Sequence, residues 1–179
     1  MNILKKCMLL FTILCTGIAT TSCGSDEDEK NEPDITTGKW TEVTFAGTTT
    51  TYPVSSPESK FTTEVSTYTY SMTENGTFAI AINKAKFLGN MPELDMQFND
   101  IEVYDNSSNP NNLYFRNEAL TPEIGGRPFP TYPISDLTST MHRALTGNEL
   151  KATSVELRFI CTFRDTPYQV IFNGTPAVK

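Results

Sequence analysis

The sequence predicts an all-β domain, a single antiparallel up-and-down barrel, with a β-sandwich as the alternative architecture. Three observations carry this. From Gly38 onward the chain runs as short segments of alternating apolar and polar residues, about ten residues apart and separated by turn residues. No segment in the same region keeps apolar residues at i, i+3, i+4 and i+7 over three turns, and prolines interrupt it throughout. Each segment has one polar and one apolar face, which suits a sheet curled around a core, and closure would leave no open edges.

The first strand is expected at Trp40 to Phe45. Residues 65–72 place Tyr68, Tyr70 and Met72 on one face and Thr67, Thr69 and Ser71 on the other. Glu74-Asn75-Gly76 then supplies positive-φ residues for a tight hairpin, after which Phe78, Ile80 and Ile82 resume the apolar face. Further strands are expected at Phe98 to Tyr104 and Leu113 to Asn117. The closing hairpin joins Ser154–Phe163 to Tyr168–Phe172 and turns through Arg164-Asp165-Thr166-Pro167. Helix is confined to a turn near Ser135 to Leu137.

The order of these features resembles the calycin-like (lipocalin-like) β-barrel lipoproteins of Bacteroidetes. The resemblance rests on Tyr68-Thr69-Tyr70-Ser71-Met72 with Gly76 to Ile82, on Phe87-Leu88-Gly89 leading into Asp100-Ile101-Glu102-Val103, and on the closing Phe159–Phe163 and Tyr168–Phe172 pair. It covers most of residues 40–175. It implies a barrel whose mouth can hold a small apolar ligand, and it transfers no catalytic residue. Large residues such as Phe78, Ile80, Leu157, Phe159, Val170 and Phe172 nevertheless favour an interior filled by its own side chains.

The N-terminal segment reads as a lipoprotein export signal, residues 1–22. Lys5 and Lys6 precede an apolar run of 12 residues, Cys7 to Ile18, too short for the roughly 20 residues a spanning helix needs. Small residues Ala19 to Ser22 then lead to Cys23, expected to become the lipidated first residue of the mature chain. Thr20 stands where bacterial lipoboxes usually carry leucine. Residues 23–37 form an acidic tether, and Gly24-Ser25-Asp26-Glu27-Asp28-Glu29 resembles the surface-export signal of Bacteroidetes lipoproteins. The expected location is the outer membrane, facing the cell surface, with a periplasm-facing anchor as the alternative. The folded domain is expected to fill residues 38–179.

Removing residues 1–22 leaves 12 Lys+Arg against 21 Asp+Glu, a formal charge of −9. Such a field repels polyanions, so nucleic acid is excluded as a partner. The four cysteines suggest two disulfides, yet Cys7 and Cys15 lie in the signal and Cys23 carries lipid. Cys161 then remains, in the apolar alternation Val155, Leu157, Phe159, Cys161, Phe163, as a small core residue.

The sequence holds no nucleophile-base pattern, no Cys/His spacing for a metal, no phosphate-binding glycine loop and no calcium-loop pattern. The one histidine, His142, sits in a strand-like alternation as a polar residue. Asn75-Gly76-Thr77 and Asn173-Gly174-Thr175 read as turn chemistry. No cofactor, metal or catalytic residue is assigned. The chain reads as a non-catalytic lipoprotein binding a small apolar ligand or glycan, with an envelope-protein accessory subunit as the alternative and a small hydrolase third. The expected contact is residues 121–133, with Arg127, Phe129 and Tyr132 among four prolines and two glycines in the Leu120–Pro133 stretch. Either the two aromatics tuck beneath the loop, or the prolines stiffen a rim that presents all three residues.

Overall fold

The computed structural model describes residues 42–104, 109 and 111–178. The export signal, Cys23, the acidic tether and Trp40 lie outside them. The described chain forms one antiparallel sheet of ten strands with no helix, eight of them closed in a ring. The ring strands are β1 (Glu42–Pro53), β2 (Phe61–Met72), β3 (Phe78–Ala85), β4 (Leu94–Tyr104), β5 (Leu113–Leu120), β8 (Ile134–Thr146), β9 (Glu149–Phe163) and β10 (Thr166–Pro176). Each pairs with its neighbour in the chain, and β10 returns to β1, so the topology is up-and-down. The short strands β6 (Glu123–Ile124) and β7 (Arg127–Pro128) form a hairpin laid against β4.

Alternation fixes what faces inward. Val43 and Phe45 of β1 stand opposite Tyr70 and Tyr68 of β2, which stand opposite Ile80 and Ile82 of β3, and all six are buried. The inward set continues through Met96, Phe98 and Ile101, then Phe115, then Leu137 and Met141, and finally Leu157, Phe159, Val170 and Phe172. Ring contacts bind these layers together. Phe159 meets Phe87 at 5.4 Å and Phe98 at 5.2 Å, and Tyr68 stacks on Phe172 at 3.9 Å. Phe87 and Met91 come from the connection between β3 and β4 and close one end of the core.

Two tyrosine hydroxyls lie inside this apolar interior and both are satisfied. Tyr70 donates to the Ser139 hydroxyl at 2.8 Å, which donates onward to the Glu156 carbonyl at 2.9 Å. Tyr68 and Thr49 hydrogen-bond at 3.1 Å. Burial pushes both phenols well above their ordinary range, so they stay neutral donors. Cys161 is buried as its alternation implied, and burial pushes its thiol up to about 12. Such a thiol is protonated and inert at neutral pH.

Bulges bend the sheet into a ring. Register shifts fall at Gly47/Thr49, Phe78/Ile80, Ile82/Ala85, Ser135/Thr138 and His142/Arg143. At three of them a left-handed residue stands in the bulge, Lys84, Asp100 or Asp136, with φ of 53°, 56° and 52°. An extra residue increases the local twist and curvature, and aspartate tolerates the left-handed region. Asp95 accepts the Lys84 backbone N–H at 2.8 Å and so satisfies one bulged amide.

The structure corrects several local expectations. Ser135 to Leu137 is not a helical turn, because Asp136 is a bulge inside β8. The hairpin at Glu74-Asn75-Gly76 uses positive φ at Gly76 but not at Asn75, and closes as a three-residue loop through Thr73 and Thr77. The last hairpin turns on Arg164-Asp165 alone, both at positive φ, while Thr166 and Pro167 already pair with Phe163 and Thr162. Residues 121–133 are not an unstructured connection. Gly125 and Gly126, at φ 60° and 72°, turn the β6–β7 hairpin, which pairs Ile124 with Met96 and Glu123 with Gln97.

Candidate functional site

The loop residues singled out from the sequence differ in exposure. Arg127 is exposed, Phe129 is half-buried, and Tyr132 is 6% exposed. Phe129 and Tyr132 lie 5.3 Å apart, and Tyr132 stacks on Phe163 at 5.4 Å. The Arg164 guanidinium stands 5.2 Å from the Phe163 ring centre. The Phe129 N–H donates to the Pro122 carbonyl at 2.7 Å, and Thr162 N–H to Pro133 at 3.0 Å. Tyr132 therefore belongs to the core, Phe129 packs against it, and Arg127 alone of the three is exposed.

The interior is filled. Phe45, Tyr68, Tyr70, Ile80, Phe98, Phe115, Leu157, Phe159, Val170 and Phe172 are each 0% exposed. A lumen with room for a ligand would let a water-sized sphere touch its walls, and these side chains form those walls. An eight-stranded ring is just wide enough for its own side chains to fill it.

The outer wall is different. Where β8, β9, β10 and β1 run side by side, a hollow of about 390 Å³ is lined by Ala46, His142, Ser154, Glu156, Asn173 and Thr175 among others. A second hollow of about 210 Å³ adjoins it, lined by Thr138, Thr140, His142, Glu156 and Arg158 together with Ser139. The two share His142 and Glu156. Gly47 and Gly174 form the floor of the larger one, because they are paired and carry no side chain.

Register extends this wall in two rows. One runs Tyr104, Tyr114, Thr140, Glu156 and Asn173, each opposite the next on the adjacent strand. The other runs Glu102, Arg116, Thr138, Arg158 and Ile171. The Tyr104 and Tyr114 rings lie 5.6 Å apart, and the Arg116 guanidinium stands 5.3 Å from the Tyr104 ring centre. Arg116 Nε donates to Glu102 at 3.4 Å, and Arg158 donates through Nε and Nη2 to Glu156 Oε1. The cationic groups of both arginines thus meet carboxylates.

His142 is a polar residue on the outer face of β8, as its alternation indicated. The Glu156 carboxylate beside it is engaged by Arg158. Among the described residues, no three His, Cys, Asp or Glu side chains converge as a metal site. The wall residues carry a sequence signal, the outward positions of alternating strands, but their grouping depends on register across five strands. No family model, curated protein or solved structure matches the chain.

Proposed function

We propose that the chain is a lipid-anchored envelope protein whose barrel is a non-catalytic binding module working through its outer wall, with no ligand carried inside. The filled interior carries this reading. Side chains from all eight ring strands occupy the space in which a ligand-carrying barrel would hold its ligand, while the outer wall offers polar hollows. The anchor rests on Cys23, placed after a positive segment, a short apolar run and small residues, and followed by acids. The acidic stretch favours the cell surface.

A second reading has its own observation. Arg164 and the half-buried Phe129 stand with Tyr132 and Phe163, a cationic and aromatic group suited to a protein partner in an accessory role.

The anchor is tested by Cys23→Ser. The variant is expected in the soluble fraction, with a thermal midpoint equal to that of the detergent-solubilised parent. Continued recovery of the variant with membranes would contradict a lipid anchor at Cys23.

A further inference from the structure

We propose that the outer wall of β4, β5, β8, β9 and β10 is a binding site for an uncharged oligosaccharide. The site consists of the Tyr104–Tyr114 pair and the two hollows that meet at Glu156 and His142. This rests on the reading of the barrel as a binding module and supplies its ligand class.

Three observations converge on a neutral polyhydroxylated chain. First, the row is continuous and curves with the ring: adjacent strands lie about 4.8 Å apart, so Tyr104 to Asn173 covers roughly 19 Å measured around the wall. An oligosaccharide seated there follows that curve. Second, the chemistry changes along it. At one end stand two phenol rings, Tyr104 at 40% exposure with the Arg116 guanidinium over its ring, and Tyr114 half-buried with its hydroxyl accepting from Asn112 at 3.3 Å. The aromatic surface left open suits the C–H face of a pyranose. Beyond them come a threonine hydroxyl, a carboxylate, an imidazole and the exposed Asn173 amide. These mixed donors and acceptors match hydroxyl groups, each of which both donates and accepts.

Third, the charge is balanced locally. Glu156 is neutralised by Arg158 and Glu102 by Arg116, so the wall presents polarity without a net cationic field. The mature chain, with 12 basic and 21 acidic residues, repels an anionic polysaccharide. An apolar ligand would strand these polar groups without partners. A β-strand partner finds no backbone edge along this wall, because each of its strands is paired on both sides within the ring.

The test uses the detergent-solubilised mature lipoprotein and calorimetric titration with cellohexaose, laminarihexaose, mannohexaose and maltohexaose, with hexagalacturonate as the acidic comparison. At least one neutral hexaose is expected to bind saturably. Tyr104→Ala with Tyr114→Ala should weaken that binding by about tenfold or more, while the Phe pair at the same positions retains most of it. Asn173→Trp, which fills the larger hollow from an exposed position, should also abolish binding without lowering the thermal midpoint.

Binding of none of the four neutral sugars, or of hexagalacturonate alone, would overturn the proposal. So would binding indifferent to these variants. Neutral-sugar binding lost instead with Arg127→Ala and Phe129→Ala would overturn this site but keep an outer-wall binding module. Release of shortened sugars would overturn both. A protein photocrosslinked through position 114 and not displaced by any hexaose would make this wall a protein interface and refute the oligosaccharide.

Discussion

Phe159→Ala is expected to cost about 3–5 kcal/mol, the range for removing a large aromatic from a packed core. The ring is 0% exposed and makes edge contacts with Phe87 from the β3–β4 connection and Phe98 from β4. Removing it leaves both rings facing a void that a closed eight-stranded ring cannot collapse without breaking its register. Thermal unfolding should show a fall in midpoint on the order of 10 °C. Phe163→Ala, at the half-buried cluster with Tyr132, should cost clearly less. Equal losses at the two positions would mean that Phe159 is not at the centre of the core.

Gly47→Ala is the second large effect, and it acts through the backbone. A Cβ at Gly47 would lie 1.9 Å from the Asn173 carbonyl oxygen and 2.6 Å from the Gly174 Cα. Neither obstacle is a side chain that can rotate away, so the β1–β10 pairing must open. A cost of about 3 kcal/mol, the upper range for overpacking, is expected from chemical denaturation. Gly76→Ala supplies the comparison. Its Cβ meets nothing within 4 Å and only the positive φ of 79° is penalised, so about 1–2 kcal/mol should be lost. A larger loss at Gly76 than at Gly47 would contradict the close approach of β1 to β10.

Much of the barrel was legible in the chain because period-two alternation reports which face a residue takes. Tyr68 and Tyr70, Phe78, Ile80 and Ile82, and Val155, Leu157, Phe159 and Cys161 all point inward as their alternation required. Bulges were not legible. Asp136 and Asp100 break the alternation by one residue, and that break imitates a turn or helical step when the partner strand is unknown. The β6–β7 hairpin was missed for a related reason. Its strands are two residues each, too short to show a period, and prolines on both sides suggested irregular chain.

The candidate site was less legible than the fold. Residues 121–133 attracted attention through their composition, yet Tyr132 uses its ring to pack on Phe163. Tyr104, Tyr114, Thr140, Glu156 and Asn173 come from five strands and are ordinary outward residues one by one. What groups them is register, and register is set by bulges and hairpin lengths that the alternation leaves open.

A filled barrel leaves no room for a small apolar fluorophore, and the uptake of one separates it from a ligand-carrying barrel. Titrating N-phenylnaphthylamine into the detergent-free Cys23→Ser protein should give no saturable fluorescence rise, whereas the Phe159→Ala form of that protein, with a new cavity of single-ring size, should take up benzene. Stoichiometric, saturable binding by the protein with Phe159 intact would contradict a filled interior and return the barrel to the ligand-carrying reading.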